Sequence, residues 1–257
     1  MRMGVYLRDE AIVLAVRPHR EADAWISCWT KHHGKHEALA TGLRKAQSKQ
    51  RGHVQPFARI ELVLAEGKSF ERLTIARMTK DHASALREHG SWLRIASSLA
   101  RVCDLISVAH AQEEGSDVFQ LFLEVQRLAR NFRAPFSQER EQFLETLVLE
   151  RFARLVGYGV AFASCARCRQ PLVSFVAFSL SDGGFLCETC QHTTPNFSRA
   201  SFLTSDEDLK RYVRFFQTAK LEEVVVFSAP RSIFLDLTTI FGSAMHLLPL
   251  TTSPFHT

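Results

Sequence analysis

From Glu10 to Arg77 apolar and polar positions follow one another in short stretches broken by glycine, and no helical stripe of useful length appears. Ala11–Val16 is a continuous apolar run suited to a buried strand, whereas Ile60, Leu62 and Leu64 alternate with Arg59, Glu61 and Val63 as a half-buried strand does. Gly67-Lys68 marks a hairpin before a further strand at Phe70–Ile75, and Trp25–Trp29 and Lys35–Ala40 supply two more. Five strands within about 70 residues, punctuated by Gly34, Gly42 and Gly52, predict a small five-stranded β-barrel.

After Lys80 the period changes. Leu86, Leu93, Ala96, Leu99, Val102 and Ile106 recur at helical spacing, then Val118, Leu121, Phe122, Val125 and Leu128, then Phe143, Leu144, Leu147, Phe152 and Leu155. Three amphipathic helices are expected. Asp117 and Ser137 stand where N-caps belong, and Gly157 is placed to end the third helix in a left-handed conformation. Ser205 with Asp208 resembles a capping box opening a helix that runs through Phe216. The pattern does not assign the strand-like Glu222–Phe227 or the apolar stretch after Pro230. The reading is an α+β chain with a barrel domain at 1–80 and a mainly helical domain at 81–257.

Composition narrows the class. With 257 residues, 46% of them apolar and 23% charged, neither wholesale disorder nor a fibrous repeat is expected. No apolar run nears the roughly 20 residues that cross a bilayer, and residues 1–10 carry charges where a signal peptide needs an apolar centre. A cytoplasmic location without membrane contact follows as the expectation. The net charge of +5 is unevenly spread: residues 1–80 hold fifteen Lys/Arg against eight Asp/Glu, while the remainder is slightly acidic. Between Lys31 and Arg59 there are seven Lys/Arg, four histidines and a single acid, Glu37, a field that attracts polyanions.

Six cysteines in such a compartment point to metal or redox chemistry before disulfides. Cys165-x2-Cys168 is followed after eighteen residues by Cys187-x2-Cys190, with Asp182-Gly183-Gly184 forming a turn between them and Phe175–Leu180 one arm of a hairpin. Two such pairs complete a tetrahedral thiolate shell for one zinc ion. Four protein ligands leave no open position, which marks a structural site. A nucleobase deaminase needs H-x-E and a proline directly before the paired cysteines. Here Ser164 and Leu186 precede the pairs, and the one H-x-E, His19-Arg20-Glu21, lies far away. No phosphate-cradling, dinucleotide, nucleophile-elbow or zinc-protease signature is present. Cys28 and Cys103 read as buried packing residues. The block from Arg44 to Arg51 is a solvated loop or a nucleic-acid contact, and Trp25, Trp29 and Phe57 are core residues or base-stacking platforms.

Several separated motifs, in order, carry a family resemblance. Arg17-Pro18-x2-Glu21-Ala22-Asp23, Thr30, Gly34-Lys35, Ala40-x-Gly42-x-Arg44-Lys45-x2-Ser48-Lys49, Gln55-Pro56-Phe57 and Leu73-x2-Ala76-Arg77 resemble the N-terminal domain of the RecO family of bacterial recombination mediators. Leu149-Glu150-Arg151-Phe152-x2-Leu155-x-Gly157-Tyr158, the cysteine pairs and Phe178-Ser179-x2-Asp182-Gly183-Gly184-x2-Cys187 are similar to that family's helical and zinc region. The resemblance spans roughly residues 9–216. It implies an OB-fold DNA-binding domain, a helical domain with the zinc motif at 165–190, and no enzymatic activity. It further implies binding of single- and double-stranded DNA, annealing of complementary strands, and help for the RecA recombinase on strands coated with single-stranded DNA-binding protein. RecR and the tail of single-stranded DNA-binding protein are the implied protein partners, with Arg127, Arg130 and Arg133 among the basic residues of the phenylalanine-rich helical half. Lys35, Arg44, Lys45, Lys49 and Arg51 fall in the matching motif as DNA contacts, and a nucleoid-associated location follows. Two readings from other classes stay open, a zinc-dependent nucleic-acid-processing enzyme and a zinc-ribbon protein-interaction module.

Overall fold

The computed structural model describes residues 6–80, 83–105, 115–132, 135–173, 177–179, 181–193, 198–199 and 206–242. The chain forms two compact units, residues 1–133 and residues 134–248. In the first, strands β1 (Tyr6–His19), β2 (Asp23–Thr30), β3 (Gly34–Ala40), β4 (Arg59–Ala65) and β5 (Glu71–Lys80) close in the order β1-β2-β3-β5-β4. Neighbours are antiparallel except β3 and β5, which run parallel. The order and the parallel seam make this an OB-like barrel, with a strand at each of the five predicted places.

Closure depends on β1. Its first half pairs with β4, from Tyr6 against Ala65 to Ile12 against Arg59, and its second half with β2, from Ala11 against Thr30 to His19 against Asp23. An irregularity between Val13 and Ala15 bends the strand from one partner to the other. Ala11, Val13, Ala24, Ile26, Ala38, Ala40, Ile60, Leu62 and Leu64 form the interior. So many alanines fit a narrow five-stranded bore, where larger side chains would overpack. The β3–β5 seam is the shortest, with only Ala38–Glu71 and Leu39–Arg72 in register.

Helices α1 (Ala83–Glu88), α2 (Gly90–Leu105) and α3 (Gly115–Asn131) complete this unit, α2 and α3 lying against the barrel strands. Where the periodicity predicts one helix from Leu86 to Ile106, the chain breaks at His89, whose amide bonds back to the Leu86 carbonyl at 3.3 Å. Gly90, a poor helix former, restarts the spiral, and the buried stripe continues through Trp92, Ile95 and Leu99. Ile106 lies outside the described residues. Asp117 is not an N-cap: the helix already begins at Gly115, and the acid sits in its first turn, where it complements the positive end of the dipole. Polar ties fasten α3 to the barrel. Gln126 Nε2 donates to the Phe57 carbonyl at 2.7 Å, and Arg59, paired with Glu10, lies 5.6 Å from the centre of the Phe119 ring.

In the second unit α4 (Gln138–Leu155) is the organising element. Ser137 caps it, and Gly157 at φ 84° ends it as predicted. The Tyr158 amide bonds to the Ala153 carbonyl and the Gly157 amide to that of Arg154, the double closure that requires a left-handed residue. Phe143 packs against Phe216, Phe234 and Phe241 at 4.8, 5.4 and 6.3 Å between ring centres. These rings bring α6 (Asp206–Thr218) and α8 (Arg231–Gly242) onto α4. The arginines of α4 take the unpaired carbonyls at other helix ends. Arg151 donates to the Phe216 and Ala219 carbonyls at the end of α6, and Arg140 to those of Val225 and Phe227 at the end of α7 (Leu221–Val226). That support, with the Lys220 amide held by Glu223 at 2.9 Å, explains why Glu222–Phe227 is largely helical despite its β-branched run. The predicted cap at Ser205 lies outside the described residues.

Between α4 and α6 stand β6 (Ala177–Ser179), β7 (Gly184–Phe185), the short turn of helix α5 (Glu188–Gln191) and β8 (Ser198–Arg199), with sheet order β7-β6-β8. The expected hairpin arm is present at 177–179, while Phe175, Val176 and Leu180 lie outside the described residues. No helix among the described residues is long and apolar enough to cross a membrane.

Candidate nucleic-acid interface and metal centre

The basic block lies on the connection between β3 and β4. Its backbone is a succession of tight turns, with Lys45, Ser48, Arg51 and His53 amides bonding to the carbonyls of Gly42, Lys45, Ser48 and Gln50. The loop is held at several points. The Gly42 amide donates to Asp23 Oδ1 at 2.7 Å and the Arg44 amide to the Ala22 carbonyl at 2.9 Å, so two of the segments that carry the resemblance meet here. Further along, Gln50 Nε2 donates to the Thr74 carbonyl at 3.0 Å and the Phe57 amide to that of Val13 at 2.8 Å.

On this fixed backbone Arg44, Lys45, Lys49 and Arg51 are all exposed. Among the described residues none of the four is ion-paired, and the Arg44 guanidinium donates to the Arg20 carbonyl at 3.0 Å. Arg44 and Arg51 also rim a cleft of about 240 Å³ floored by Val16, Leu43 and Val54. Cations held close together without counter-charges create a potential that an oligoanion relieves.

Lys35 stands apart from these four. It is buried, and its ammonium donates to the Asp104 carbonyl at 2.5 Å and meets Glu37 at 3.1 Å. Three of the nearby histidines are likewise engaged. Nδ1 of His32 and of His33 meets the two oxygens of buried Asp9 at 2.8 and 2.9 Å, and His36 Nδ1 meets Glu71 at 2.9 Å. Burial pushes the Asp9 carboxyl up, but the His32 amide, both imidazoles and the Glu10 amide outweigh it and hold the group below its ordinary value. Of the three aromatic candidates, Trp29 and Phe57 are buried and Trp25 alone is partly open.

The four cysteines of the paired motif come together, their sulfurs all within 4.8 Å of one another. Cys165 and Cys190 are buried, Cys187 is half-buried and Cys168 exposed. The Cys168–Cys187 separation of 3.6 Å is close to the edge of a thiolate tetrahedron around one ion, about 3.8 Å for a metal–sulfur bond near 2.3 Å. At Cys165 the pull of burial is overcome by backbone amides of Cys168, Cys187 and Arg167, which lower its pKa to about 6. Burial and the neighbouring thiols push Cys190 up to about 12. A cluster that sets the readily ionised Cys165 beside the resisting Cys168 and Cys190 is completed by a cation. Cys28 and Cys103 are buried packing residues.

Sequence reading misses the clamp on this cluster. Arg167, inside the first pair, donates through Nε and Nη2 to the two oxygens of Asp182 at 3.2 and 3.3 Å, tying the knuckle to the β6–β7 turn. The signal lay in the Asp182-Gly183-Gly184 turn, whose acid looks like turn chemistry alone until the arginine is placed.

An OB-like barrel with an exposed cationic loop, in a chain whose helical region carries a four-cysteine cluster able to hold a metal ion, defines the class. The family model described as Recombination protein O N terminal matches residues 1–81, and Recombination protein O C terminal matches residues 93–245. Relatives from several bacteria are named DNA repair protein RecO. That of Bifidobacterium animalis subsp. lactis is 29% identical over 72% of this chain and 74% of its own length. The Heliobacterium modesticaldum protein is 31% identical over 72% and 66%, and that of Nocardioides sp. 30% identical over 72% and 74%. The chain belongs to the RecO family, and with it to the proteins of DNA repair and recombination.

Proposed function

We propose that this chain is a non-enzymatic mediator of recombination and repair that binds single- and double-stranded DNA through Arg44, Lys45, Lys49 and Arg51. The observation that carries the reading is the immobilised loop on which four cations stand exposed and without an ion-pair partner among the described residues. Phosphates that replace counterions there contribute binding free energy without regard to sequence. A surface that neutralises two strands at once lowers their mutual repulsion, so annealing of complementary strands runs on binding and base pairing with no nucleotide hydrolysis.

The metal of the four-cysteine cluster is zinc, held by Cys165, Cys168, Cys187 and Cys190 in a structural role. Four thiolates fill its tetrahedron, and what the ion supplies is folding free energy for the surrounding knuckles. RecR and the acidic, phenylalanine-terminated tail of single-stranded DNA-binding protein are the protein partners, and loading of RecA onto coated strands is the outcome. The exposed Arg127 and Arg130 of α3 supply positive charge that suits an acidic ligand. Arg133 lies outside the described residues. A nucleoid-associated place in the cytoplasm accords with these partners.

One experiment tests the core of the reading. Complementary oligonucleotides are mixed with the protein, with and without single-stranded DNA-binding protein, in the absence of ATP. Faster annealing in proportion to protein, falling steeply with salt, is expected. A requirement for nucleotide hydrolysis, or cleavage of the strands, returns the zinc-enzyme reading.

A further inference from the structure

The barrel carries an aromatic cluster that the phosphate-binding loop does not account for. Trp25 is paired with Arg17 on β1 and with Leu39 on β3, and Leu39 in turn with Arg72 on β5. Because Ala24, Ile26, Ala38, Ala40 and Leu73 point into the core, Trp25, Leu39 and Arg72 share the outer face. There the Trp25 ring meets the Phe70 ring edge-on at 5.3 Å, and His19 approaches Trp25 at 5.9 Å. The Arg72 guanidinium stands 5.7 Å from the centre of the Phe70 ring, and Phe70 remains 38% exposed.

The chain is built to present that ring. Phe70 follows the turn at Gly67, where an added Cβ would stand 2.3 Å from the Phe70 carbonyl oxygen, so only glycine lets the turn close this tightly. The loop's anchors reach the same neighbourhood: Arg44 bonds to Arg20, next to His19, and Gln50 bonds to Thr74, two residues beyond Arg72. Glu71, the nearest acid in sequence, is engaged by His36. An apolar patch left open usually meets an apolar partner. One flanked by Arg72 and by the tethers of a cationic loop suits a ligand that is anionic along its backbone and flat and aromatic on its side groups.

We infer that Trp25 and Phe70, with Arg72 beside them over the Phe70 ring, form a platform on which unpaired nucleobases of a single strand stack. The inference rests on the proposed DNA-binding role and adds the group that separates single strands from duplex. Bases within a duplex already stack on one another and are not offered to a protein surface, whereas every unpaired base has a free face. The loop would hold both kinds of DNA by phosphate, and the platform would add affinity for one.

The test measures binding of oligo-thymidylate of about 16 nucleotides, and of a duplex of equal length, to the full chain across a salt series. Phe70→Ala is expected to weaken single-strand binding by about tenfold, leave duplex binding unchanged, and leave the salt slope unchanged because the same phosphates stay neutralised. Phe70→Tyr should restore the wild-type value, which excludes a folding defect. Trp29 and Trp92 are buried, so quenching of tryptophan emission by the single strand reports Trp25, and Trp25→Phe should abolish it. Unchanged single-strand binding in Phe70→Ala, or equal loss on both DNAs, overturns the platform and leaves the loop standing. A wild-type chain that binds neither DNA overturns both.

Discussion

Lys35 Nζ donates to the main-chain carbonyl of Asp104 at 2.5 Å, so a lysine on the third strand closes the C-terminal end of the second helix. The same aspartate receives Arg17 of β1 on its carboxylate. Two cations from two strands thus converge on one helix end, where the dipole favours positive charge.

This arrangement makes Lys35 a stability residue. Lys35→Met should lower the free energy of unfolding by about 2 kcal/mol, the range for a charged hydrogen bond to a buried carbonyl. DNA affinity per folded molecule should hardly change. Urea titration in parallel with binding by anisotropy checks this. An intact midpoint with weakened binding would assign Lys35 to the DNA surface instead.

Reversing Arg44, Lys45 and Lys49 together to Glu should weaken binding to every sequence alike. The slope of log affinity against log salt should shrink by about 0.7–0.9 for each phosphate that is no longer neutralised. A slope that stays the same in the triple variant would mean a solvated loop and no more.

Elemental analysis of protein purified without chelator should return one zinc per chain. Cys168→Ser with Cys187→Ser should reduce thermal stability and solubility more than DNA affinity per folded molecule. EDTA added after folding should leave the annealing rate nearly intact, since a filled coordination shell takes no part in strand pairing. Loss of annealing with zinc, while the fold persists by circular dichroism, contradicts the structural role.

Two buried carboxyls should give opposite pH signatures. Asp9 is held below its ordinary value of 3.8, so its contribution is fully present above that value and is lost as pH falls through the lower folded value. Asp9→Asn should be less stable than the parent at pH 7, with the gap closing in strong acid. Burial pushes the Glu150 carboxyl above its ordinary 4.5 against the pull of Arg154 and Arg151, and neither oxygen has a hydrogen-bond partner among the described residues. Its ionisation therefore costs stability as pH rises through 4.5 and on to the higher folded value. Glu150→Gln should flatten that decline in a pH series of thermal melts.

How much of this was legible in the sequence depends on how local each cause is. The strands were readable because alternation and glycine punctuation act within a few residues, as at Ile60–Leu64. The cysteine cluster was readable because two residues between thiols are enough to form a knuckle. The fate of Lys35 was not, since its partner lies 69 residues away in sequence. Nor was the helix at Leu221–Val226, whose last carbonyls are taken by Arg140 from 85 or more residues away. Trp25 and Trp29 show the limit most directly. They share the outer face of one strand, and only Trp29 is fully buried, a difference that pattern along β2 does not encode.

The shortest seam of the barrel has a mechanical consequence. Two residue pairs join β3 to β5, and the neighbouring cross-ties are side-chain bonds, His36 to Glu71 and Gln50 to Thr74. A closed ring under thermal agitation parts first where it is least stitched, so amide protons around Glu71–Leu73 should exchange with deuterated solvent sooner than those of β1 or β2. Gln50 belongs to the cationic loop, so a strand of DNA lying along that loop also lies over the fastening. Occupancy would then tighten the ring at its loosest joint, and slowed deuterium uptake at the seam would register the ligand.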